Sequence, residues 1–543
     1  MPNRTQSFKV VCQGGLNTND NNLYLSDHLP GTATRLINYE TALSGGYRRI
    51  SGYRYYDETY TEVSPSTAEG PVLGVWIFQN TTTNDAEIIA ARKNQSGATY
   101  SFFKLTISGW TAYTTGITHN TSSGGFATVS RVRAELFNFG GTNMIGFVDG
   151  VNSLVIYDGT DWFECTPSNT GGSGSPGGNQ ILDKPSVITS FKNHLFVSGD
   201  ENTPSVVSYC APSDALTWTA AAGAGQIVCS EEVVAMKPFR DENFVFSKRY
   251  IKKIIPDVTA GFLINDVTTN LGIIAKDSLL EVGGNLIFLA SDGIRPIAGT
   301  DRQNDVELSL LSPNIQYTVD NFFANYNMED LVGVVIRNKT QFRYFLSGDS
   351  DATETAYGIM GNYRLNSTNT QKWEFAELVG IHANCAFSGF IDGREYVLHG
   401  DYEGFVFRQE IGNTFNGTDV LATYTTPYLD LGDTEIRKLL RTLNTFIRAE
   451  GSVTFNISLR FDWGDEYVLN PPNFAGQTLT GPVVYGAEVE YDDGSLYGGV
   501  SRNFLKTNVQ GSCFSVQFSY VTEGGAPFTI QGFVLEFSGK GRE

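Results

Sequence analysis

The residues that most often carry out chemistry in proteins are sparse in this chain and fall into no recognisable motif. Its five histidines form no HxxxH, HxH or HExxH pattern, which argues against a zinc hydrolase. The sequence also has no G-x-S-x-G nucleophile elbow, no phosphate-binding P-loop and no GxGxxG after a strand. The histidines are His28, His119, His194, His382 and His399.

The six cysteines are scattered along the chain. They form no CxxC pair and do not cluster with histidines, so a disulfide framework and a zinc site are both disfavoured. We therefore expect buried free thiols, which behave as small apolar side chains. These cysteines are Cys12, Cys165, Cys210, Cys229, Cys385 and Cys513.

Three aspartates lie close together in sequence around two turns, at Asp149, Asp158 and Asp161. Their carboxylates are suitable Ca²⁺ ligands, but the spacing is not that of an EF-hand, and Asp-Gly pairs are ordinary turn residues. The segment Asp158–Trp162 matches only the tail of the sialidase Asp-box. Paired carboxylates of the glycosidase type stay open, because acidic residues are abundant. We predict that the chain is not an enzyme and has no cofactor and no metal site.

An aromatic and basic run, GGYRRISGYRYY, occupies residues 45–56. Alternating Tyr and Arg can stack on nucleic-acid bases, but a net charge of −20 opposes binding to phosphates. Tyr and Arg are also enriched at protein–protein interfaces, and packing at the edge of the core is the other interpretation. The predicted interface residues are Tyr47, Arg48, Arg49, Tyr53, Tyr55 and Tyr56.

The elements that position these residues are predicted to be almost entirely β-strands. Of the 543 residues, 13% are aromatic and 58 are glycine, whereas only 5 are methionine; this composition favours pleated sheets and tight turns. Clusters of hairpin signals begin near residues 72, 135, 187, 232, 278, 331 and 384. Their spacing is close to the length of a four-stranded propeller blade, about 40 to 50 residues. We predict an all-β fold with an irregular propeller of six or seven blades over residues 66–415; an array of β-sandwiches is the alternative.

Regions outside that propeller have their own signals. The C-terminal residues 416–543 predict a β-sandwich, within which residues 435–450 read as helix or strand, with strand favoured for the second half. Residues 1–65 are expected to form a platform together with this C-terminal region. A helix is predicted over 314–326, with Ser312 as N-cap and Pro313 at the first helical position, and the Gly/Ser-rich residues 168–180 predict a flexible loop. No secretory signal and no membrane-spanning segment are expected.

Several short segments, in order along the chain, resemble one protein family. Gly14–Asn17, Leu36–Glu40 and Gly45–Tyr53 look like the "GGLN … GGYRRI-x-GY" opening of tail proteins from short-tailed bacteriophages. Phe191–Phe196 and Gly293–Arg295 are similar to later parts of the same family. The resemblance extends from the N-terminal to the C-terminal part of the chain.

This resemblance implies a β-propeller subunit of the phage tail, called the nozzle or packaged-DNA stabilisation protein. Such subunits form a homo-oligomeric ring, usually a hexamer, below the portal and adaptor proteins and next to tail fibres or a spike. The ring extends the DNA channel and helps to retain and then release packaged DNA, and double-stranded DNA passes through it without specific binding. The expected location is the virion tail, after synthesis in the host cytoplasm. The family offers no catalytic residues to transfer.

Two other classes of function stay open from the sequence. One is a receptor- or glycan-binding propeller at the tail tip, which exposed aromatic clusters on loops would favour. The other is a polysaccharide-cleaving enzyme.

Overall fold

The protein is described from a computed structural model. The structure describes residues 5–42, 45–57, 62–63, 68–94, 98–113, 126–167, 176–258, 261–297, 310–346, 356–365, 371–480 and 504–539. These residues form 41 β-strands and two α-helices, so the predicted all-β fold is confirmed. Neither described helix is long and apolar enough to cross a membrane.

The N-terminal segment contributes short elements that join other parts of the chain. They are β1 (Thr5–Val11), α1 (Asn22–His28), β2 (Arg35–Ile37), β3 (Tyr39–Thr41), β4 (Tyr47–Arg49) and β5 (Tyr53–Tyr55). Asn21 caps α1 by accepting a hydrogen bond from the Tyr24 amide at 2.8 Å.

Seven sets of strands then follow in chain order and are called here the first to seventh sheets. Within each set most strands pair antiparallel with their neighbours in sequence, and the sixth set belongs to a larger sheet shared with the C-terminal region. The first comprises β6 (Ala68–Gln79), β7 (Ala86–Asn94), β8 (Thr99–Thr106), β9 (Gly109–Ala112) and β10 (Phe126–Ala127). The second comprises β11 (Arg133–Phe139), β12 (Thr142–Val148), β13 (Leu154–Tyr157) and β14 (Trp162–Cys165). The third comprises β15 (Val187–Phe191), β16 (His194–Asp200), β17 (Thr203–Tyr209) and β18 (Gly225–Val228). The fourth comprises β19 (Ala235–Phe239), β20 (Glu242–Phe246), β21 (Ile251–Asp257) and β22 (Gly261–Thr268).

The remaining three sheets are less regular. The fifth has three described strands, β23 (Leu280–Val282), β24 (Asn285–Ala290) and β25 (Gly293–Pro296), and is followed by α2 (Gln316–Asn325). The sixth begins with β26 (Val332–Ile336), β27 (Gln341–Leu346), β28 (Tyr357–Leu365) and β29 (Gln371–Val379). The seventh begins with β30 (Cys385–Ile391), β31 (Arg394–Gly400) and β32 (Val406–Gln409), and it also holds β33 (Thr414–Phe415) and β34 (Thr418–Asp419). Its next strand after β32 is β5 of the N-terminal segment, which pairs antiparallel with β32.

The C-terminal region forms two facing sheets. Its strands are β35 (Leu421–Thr425), β36 (Lys438–Ala449), β37 (Ser452–Phe461), β38 (Phe474–Thr480), β39 (Phe504–Cys513), β40 (Val516–Glu523) and β41 (Phe528–Gly539). One sheet contains β3, β4, β41, β36 and β39, with β1 also paired to β41. The other contains β2, β35, β40, β37 and β38, and it continues from the sixth sheet because β2 pairs with β29. Ring contacts such as Phe518–Phe533, with centroids 5.1 Å apart, join the two layers.

Three local predictions can now be judged. The strand interpretation of residues 435–450 is confirmed by β36, and the helical one is wrong because alternate residues of β36 face the buried layer between the two sheets. The helix predicted over 314–326 is confirmed as a 3-10 turn followed by α2. Ser312 and Pro313 occupy the predicted N-cap and first helical positions, but the Ser312 side chain makes no capping hydrogen bond. Its hydroxyl accepts a hydrogen bond from the Ile294 amide at 3.1 Å. Residues 168–175 of the predicted flexible loop lie outside the described residues.

The apolar core is divided among the contacts between sheets. Separate clusters join the first sheet to the second, the second to the third, the third to the fourth, and the fourth to the fifth. A further cluster packs Val75 and Ile77 of the first sheet against Cys385 and Leu398 of the seventh. The largest cluster includes the fifth, sixth and seventh sheets together with both layers of the C-terminal region.

Candidate functional sites: the N-terminal junction and the central cavity

The aromatic and basic run lies where the N-terminal segment meets the C-terminal layers and the seventh sheet. We call residues 45–56 and their contacts the N-terminal junction. Within it, the side chains of Tyr47 and Arg49 are completely buried, with exposures of 1% and 0%. Arg48, Tyr53, Tyr55 and Tyr56 are half-buried. The run is therefore packed mainly against its own chain.

Tyr47 is a buried hydrogen-bonding residue. Its hydroxyl accepts from the Gly15 amide at 3.1 Å and donates to the Gly31 carbonyl at 2.8 Å, and its ring meets Tyr424 edge-on at 5.1 Å. Burial raises the pKa of Tyr47 well above its usual value. The hydroxyl thus ties together backbone segments that have no regular secondary structure.

Arg48 connects the two ends of the chain. Its guanidinium forms a bidentate pair with Glu450, both bonds being 2.8 Å, and a third bond of 2.8 Å to Glu40. Burial by itself would lower the pKa of Arg48, but hydrogen bonds and charge from Glu450 and Glu40 outweigh it and raise the pKa. The hydrogen bonds from Arg48 also lower the pKa of Glu450. This geometry is the planar, two-bond recognition that favours arginine over lysine.

Arg49 is a buried cation held by backbone carbonyls. One Nη atom donates to Gly525 at 2.7 Å and to Asn413 at 3.2 Å. Burial lowers the pKa of Arg49 to about 10. The Nε and the other Nη have no hydrogen-bond partner among the described residues.

The three remaining aromatic residues of the prediction pack against the seventh sheet. Tyr53 stacks on Phe415 with centroids 4.9 Å apart, and Tyr55 stacks on Phe407 at the same distance. Tyr56 meets Tyr396 edge-on at 6.1 Å. All six predicted residues therefore make contacts within the chain, and their role in contacts between subunits stays a prediction.

A buried ionic network next to the junction has no counterpart in the sequence analysis. Glu40, only 4% exposed, accepts from Arg48 and Lys339. Lys339 also pairs with Glu410, which in turn binds the buried Arg343. Burial would raise the pKa of Glu410, yet the charges of Arg343 and Lys339 lower it to about 2. The available signal was the occurrence of charged residues within otherwise apolar strands.

A central cavity of about 700 Å³ is the second candidate site. Its lining includes residues at or near the first strand of each of the seven sheets: β6, β11, β15, β19, β23, β26 and β30. Among the lining side chains, five are basic and two are acidic.

An ionic bridge joins the second sheet to the fifth at one end of this cavity. Asp277 accepts from Arg131 at 2.6 Å and from Arg133 at 2.8 and 2.9 Å. Arg131 also donates to the carbonyls of Leu331 and Asp330, at 2.8 and 3.0 Å. Burial would raise the pKa of Asp277, but the charges of Arg133 and Arg131 hold it far below the usual range. These residues precede or begin the first strands of their sheets, so the bridge lies at the end where those strands start.

Lys276 lies beside this bridge. Its ammonium donates to the Ser186 hydroxyl at 3.0 Å, which links the fifth sheet to the third. Burial and the charge of Arg133 lower the pKa of Lys276. Sequence reasoning missed the cluster because its members come from four different sheets.

Two of the three aspartates considered as Ca²⁺ ligands accept hydrogen bonds within turns. Asp149 accepts from the amides of Val151 and Asn152 at 2.8 and 2.7 Å, and Asp158 accepts from those of Thr160 and Asp161, both at 2.8 Å. Within the described ranges, no three His, Cys, Asp or Glu residues are grouped as a metal site. All six cysteines are free and buried, as predicted.

Comparisons with known proteins add little. No protein-family model and no curated protein matches the chain. Among solved structures, it is similar to the extracellular domain of a hybrid two-component system from B. thetaiotaomicron, with 8% sequence identity and a TM-score of 0.37. The match covers 66% of this chain and 39% of that one, so the chain spans well under half of that structure. A likeness at this level carries no argument about function.

Proposed function

We propose that residues 68–409, with β5, form a seven-bladed β-propeller. Three features support this architecture: seven successive antiparallel sheets, a shared central cavity next to their first strands, and apolar packing of the first sheet against the seventh. Within the proposed propeller, the seventh sheet combines β30, β31 and β32 with β5 from the N-terminal segment. Such a combination of strands from distant parts of the chain would fasten a circular array.

We propose further that the chain is a structural subunit of a phage tail ring, the nozzle below the portal and adaptor. One observation carries this proposal: three of the five segments that resemble the tail family, Gly14–Asn17, Leu36–Glu40 and Gly45–Tyr53, build the junction. An added Cβ at Gly15 would lie 2.8 Å from the Phe375 amide nitrogen, and one at Gly46 would lie 2.3 Å from the Ile530 carbonyl oxygen. The same segments supply Glu40, Tyr47 and Arg48. The resemblance thus includes residues that hold the N-terminal segment against the rest of its own chain.

In this proposal DNA passes through the lumen of the ring and not through the cavity of one subunit. The bridge between Asp277 and Arg133 crosses one end of that cavity. The ring itself would form by head-to-tail contacts that close on themselves. Its lumen would present an acidic surface, since the chain carries −20, and such a surface does not adhere to phosphates.

The test is native mass spectrometry with negative-stain imaging. The purified chain is measured alone, with the adaptor alone, and with the portal–adaptor complex of its virion. We expect a ring of about six copies on the complex, with an open centre. A chain that stays monomeric and binds neither the adaptor nor the portal–adaptor complex would refute the tail proposal and would favour the receptor- or glycan-binding propeller.

Substitution of Arg48 or Arg49 does not provide a clean test of ring contacts. Arg48→Glu would place a carboxylate against Glu450 and Glu40, and Arg49→Glu would bury an unpaired charge. Both changes would unfold the junction before they reported on assembly. The wild-type chain is therefore the appropriate reagent.

A further inference from the structure

The central cavity concentrates positive charge in an acidic protein. Its basic lining residues are Arg131, Arg133, Lys237, Lys276 and Arg337, and its acidic ones are Glu135 and Asp277. The whole chain, by contrast, has 58 acidic and 38 basic side chains. A recessed cavity with low-dielectric walls strengthens the field from such a group of charges.

The two acidic groups of the cavity are already engaged. Asp277 is bound by the guanidinium groups of Arg131 and Arg133. Glu135 accepts hydrogen bonds from the amide and the hydroxyl of Ser190, at 3.2 and 2.9 Å. Both carboxylates thus have other hydrogen-bond partners, and the charge of Asp277 only partly offsets the effects of burial and of Arg133 on the Lys276 ammonium.

Two lysines of the cavity have donors left over. The Lys276 ammonium carries three N–H groups, and its hydrogen bonds within the described residues are limited to the one with Ser186. The Lys237 ammonium has neither a hydrogen bond nor an ion pair within the described residues. Lys276 is also partly desolvated and close to Arg133, which makes its charge costly without a counter-ion.

We propose that this cavity binds a small oxyanion of the phosphate type, free or carried on a small organic molecule, beside the Lys276 ammonium and the Arg133 guanidinium. Phosphate oxygens accept several charge-assisted hydrogen bonds at once, and lysine and arginine are its usual partners. The volume of about 700 Å³ leaves room for an attached organic group. The bound anion would neutralise the excess positive charge and link the second, third and fifth sheets.

The test compares inorganic phosphate with chloride at equal ionic strength and pH 7, using isothermal titration calorimetry and the thermal unfolding midpoint of the full chain. We expect saturable heat and a concentration-dependent rise in the midpoint with phosphate alone, because a ligand that binds only the folded state stabilises it. Glycerol phosphate, compared with inorganic phosphate, shows whether an organic group adds affinity. Equal responses to phosphate and chloride would overturn the proposal.

Variants locate the site. Lys276→Met keeps the aliphatic stem and removes the charge, and we expect phosphate affinity to fall roughly tenfold or more. Lys248→Met is the matched control: this lysine is 64% exposed beside Glu232, and its loss should leave affinity unchanged. Lys237→Met provides a second measurement should the first variant fold poorly. Full phosphate affinity in folded Lys276→Met protein would refute the site. The readout needs no tail assembly, so its outcome is independent of the proposed function.

Discussion

Replacement of Asp277 by asparagine tests whether the bridge across the cavity stabilises the fold. The carboxylate accepts three hydrogen bonds from Arg131 and Arg133, and its side chain is 22% exposed. Asparagine has nearly the same shape but one acceptor oxygen and no charge. The change would leave two guanidinium groups and the Lys276 ammonium close together without a counter-charge.

The expected loss of stability can be worked from these contacts. A hydrogen bond to a charged group contributes about 1.5–3 kcal/mol, and removing one partner of a buried ion pair costs about 3–5 kcal/mol. Residual exposure of Asp277 brings the estimate to the lower end, so we expect the free energy of unfolding to fall by about 3 kcal/mol at pH 7.

The pH dependence gives a second criterion. The pKa of Asp277 is depressed in the folded state, so its contribution is present above the unfolded value near ~4 and is lost as pH falls through the folded pKa. The difference between wild type and Asp277→Asn should therefore be full at pH 7 and shrink below pH about 4.

Urea unfolding followed by tryptophan fluorescence measures both effects. Asp241→Asn is the control, because that carboxylate pairs with Lys192 while 87% exposed, and its removal should leave the unfolding midpoint unchanged. A loss below about 1 kcal/mol for Asp277→Asn, or a difference that does not vary with pH, would refute this account of the bridge.

Three further substitutions test other parts of the structure. Burial raises the pKa of Asp401 to about 6, so the protonated form stabilises the fold at low pH and this contribution is lost between about pH 4 and 6. Asp401→Asn should therefore be more stable than wild type at pH 7, by up to about 3 kcal/mol, and equally stable near pH 4. Urea unfolding midpoints measured across that pH range would check this. Tyr47→Phe leaves the buried Gly15 amide without the hydroxyl that accepts its hydrogen bond and removes one of the two donors to the Gly31 carbonyl; calorimetric unfolding should show a loss of about 1–3 kcal/mol. Gly46→Ala forces a Cβ to 2.3 Å from a β41 carbonyl at a φ of +94°, and soluble yield should collapse; Gly393→Ala, at a φ of +75° with nothing within 4 Å, should remain folded.

The order of the sheets could be predicted from the sequence because the hairpin signals are local. Hairpin signals were placed near residues 135, 187 and 232, and the structure starts new sheets at Arg133, Val187 and Ala235. Gly150, Gly159 and Gly293 all have positive φ in or beside turns, as Asp-Gly pairs predict. Turn residues and the alternation of apolar and polar residues act over a few positions, so they can be interpreted without knowledge of the tertiary fold.

The environment of the aromatic and basic run was not readable. Tyr and Arg alternate in the same way whether they face a partner or their own core, and the deciding partners are far away in sequence. Arg48 binds Glu450, 402 positions further on, and Arg49 reaches the Gly525 carbonyl, 476 positions away. No local pattern specifies such pairs.

The N-terminal segment likewise contacts parts of the chain that are distant in sequence, so its structural role is larger than its length suggests. Its strands enter three sheets: β1 and β4 pair with β41 and β3 pairs with β4, β2 lies between β29 and β35, and β5 extends the seventh sheet. The sixth and seventh sheets and the C-terminal layers therefore share strands from one short stretch of chain. Those contacts close long loops, which is entropically costly and slow, so strong side-chain hydrogen bonds are needed to hold them once formed. The buried hydroxyl of Tyr47 and the bidentate pair of Arg48 are such contacts. A motif concentrated in this stretch thus concerns how the N-terminal segment joins the other parts of the chain, and its residues need not be exposed binding residues.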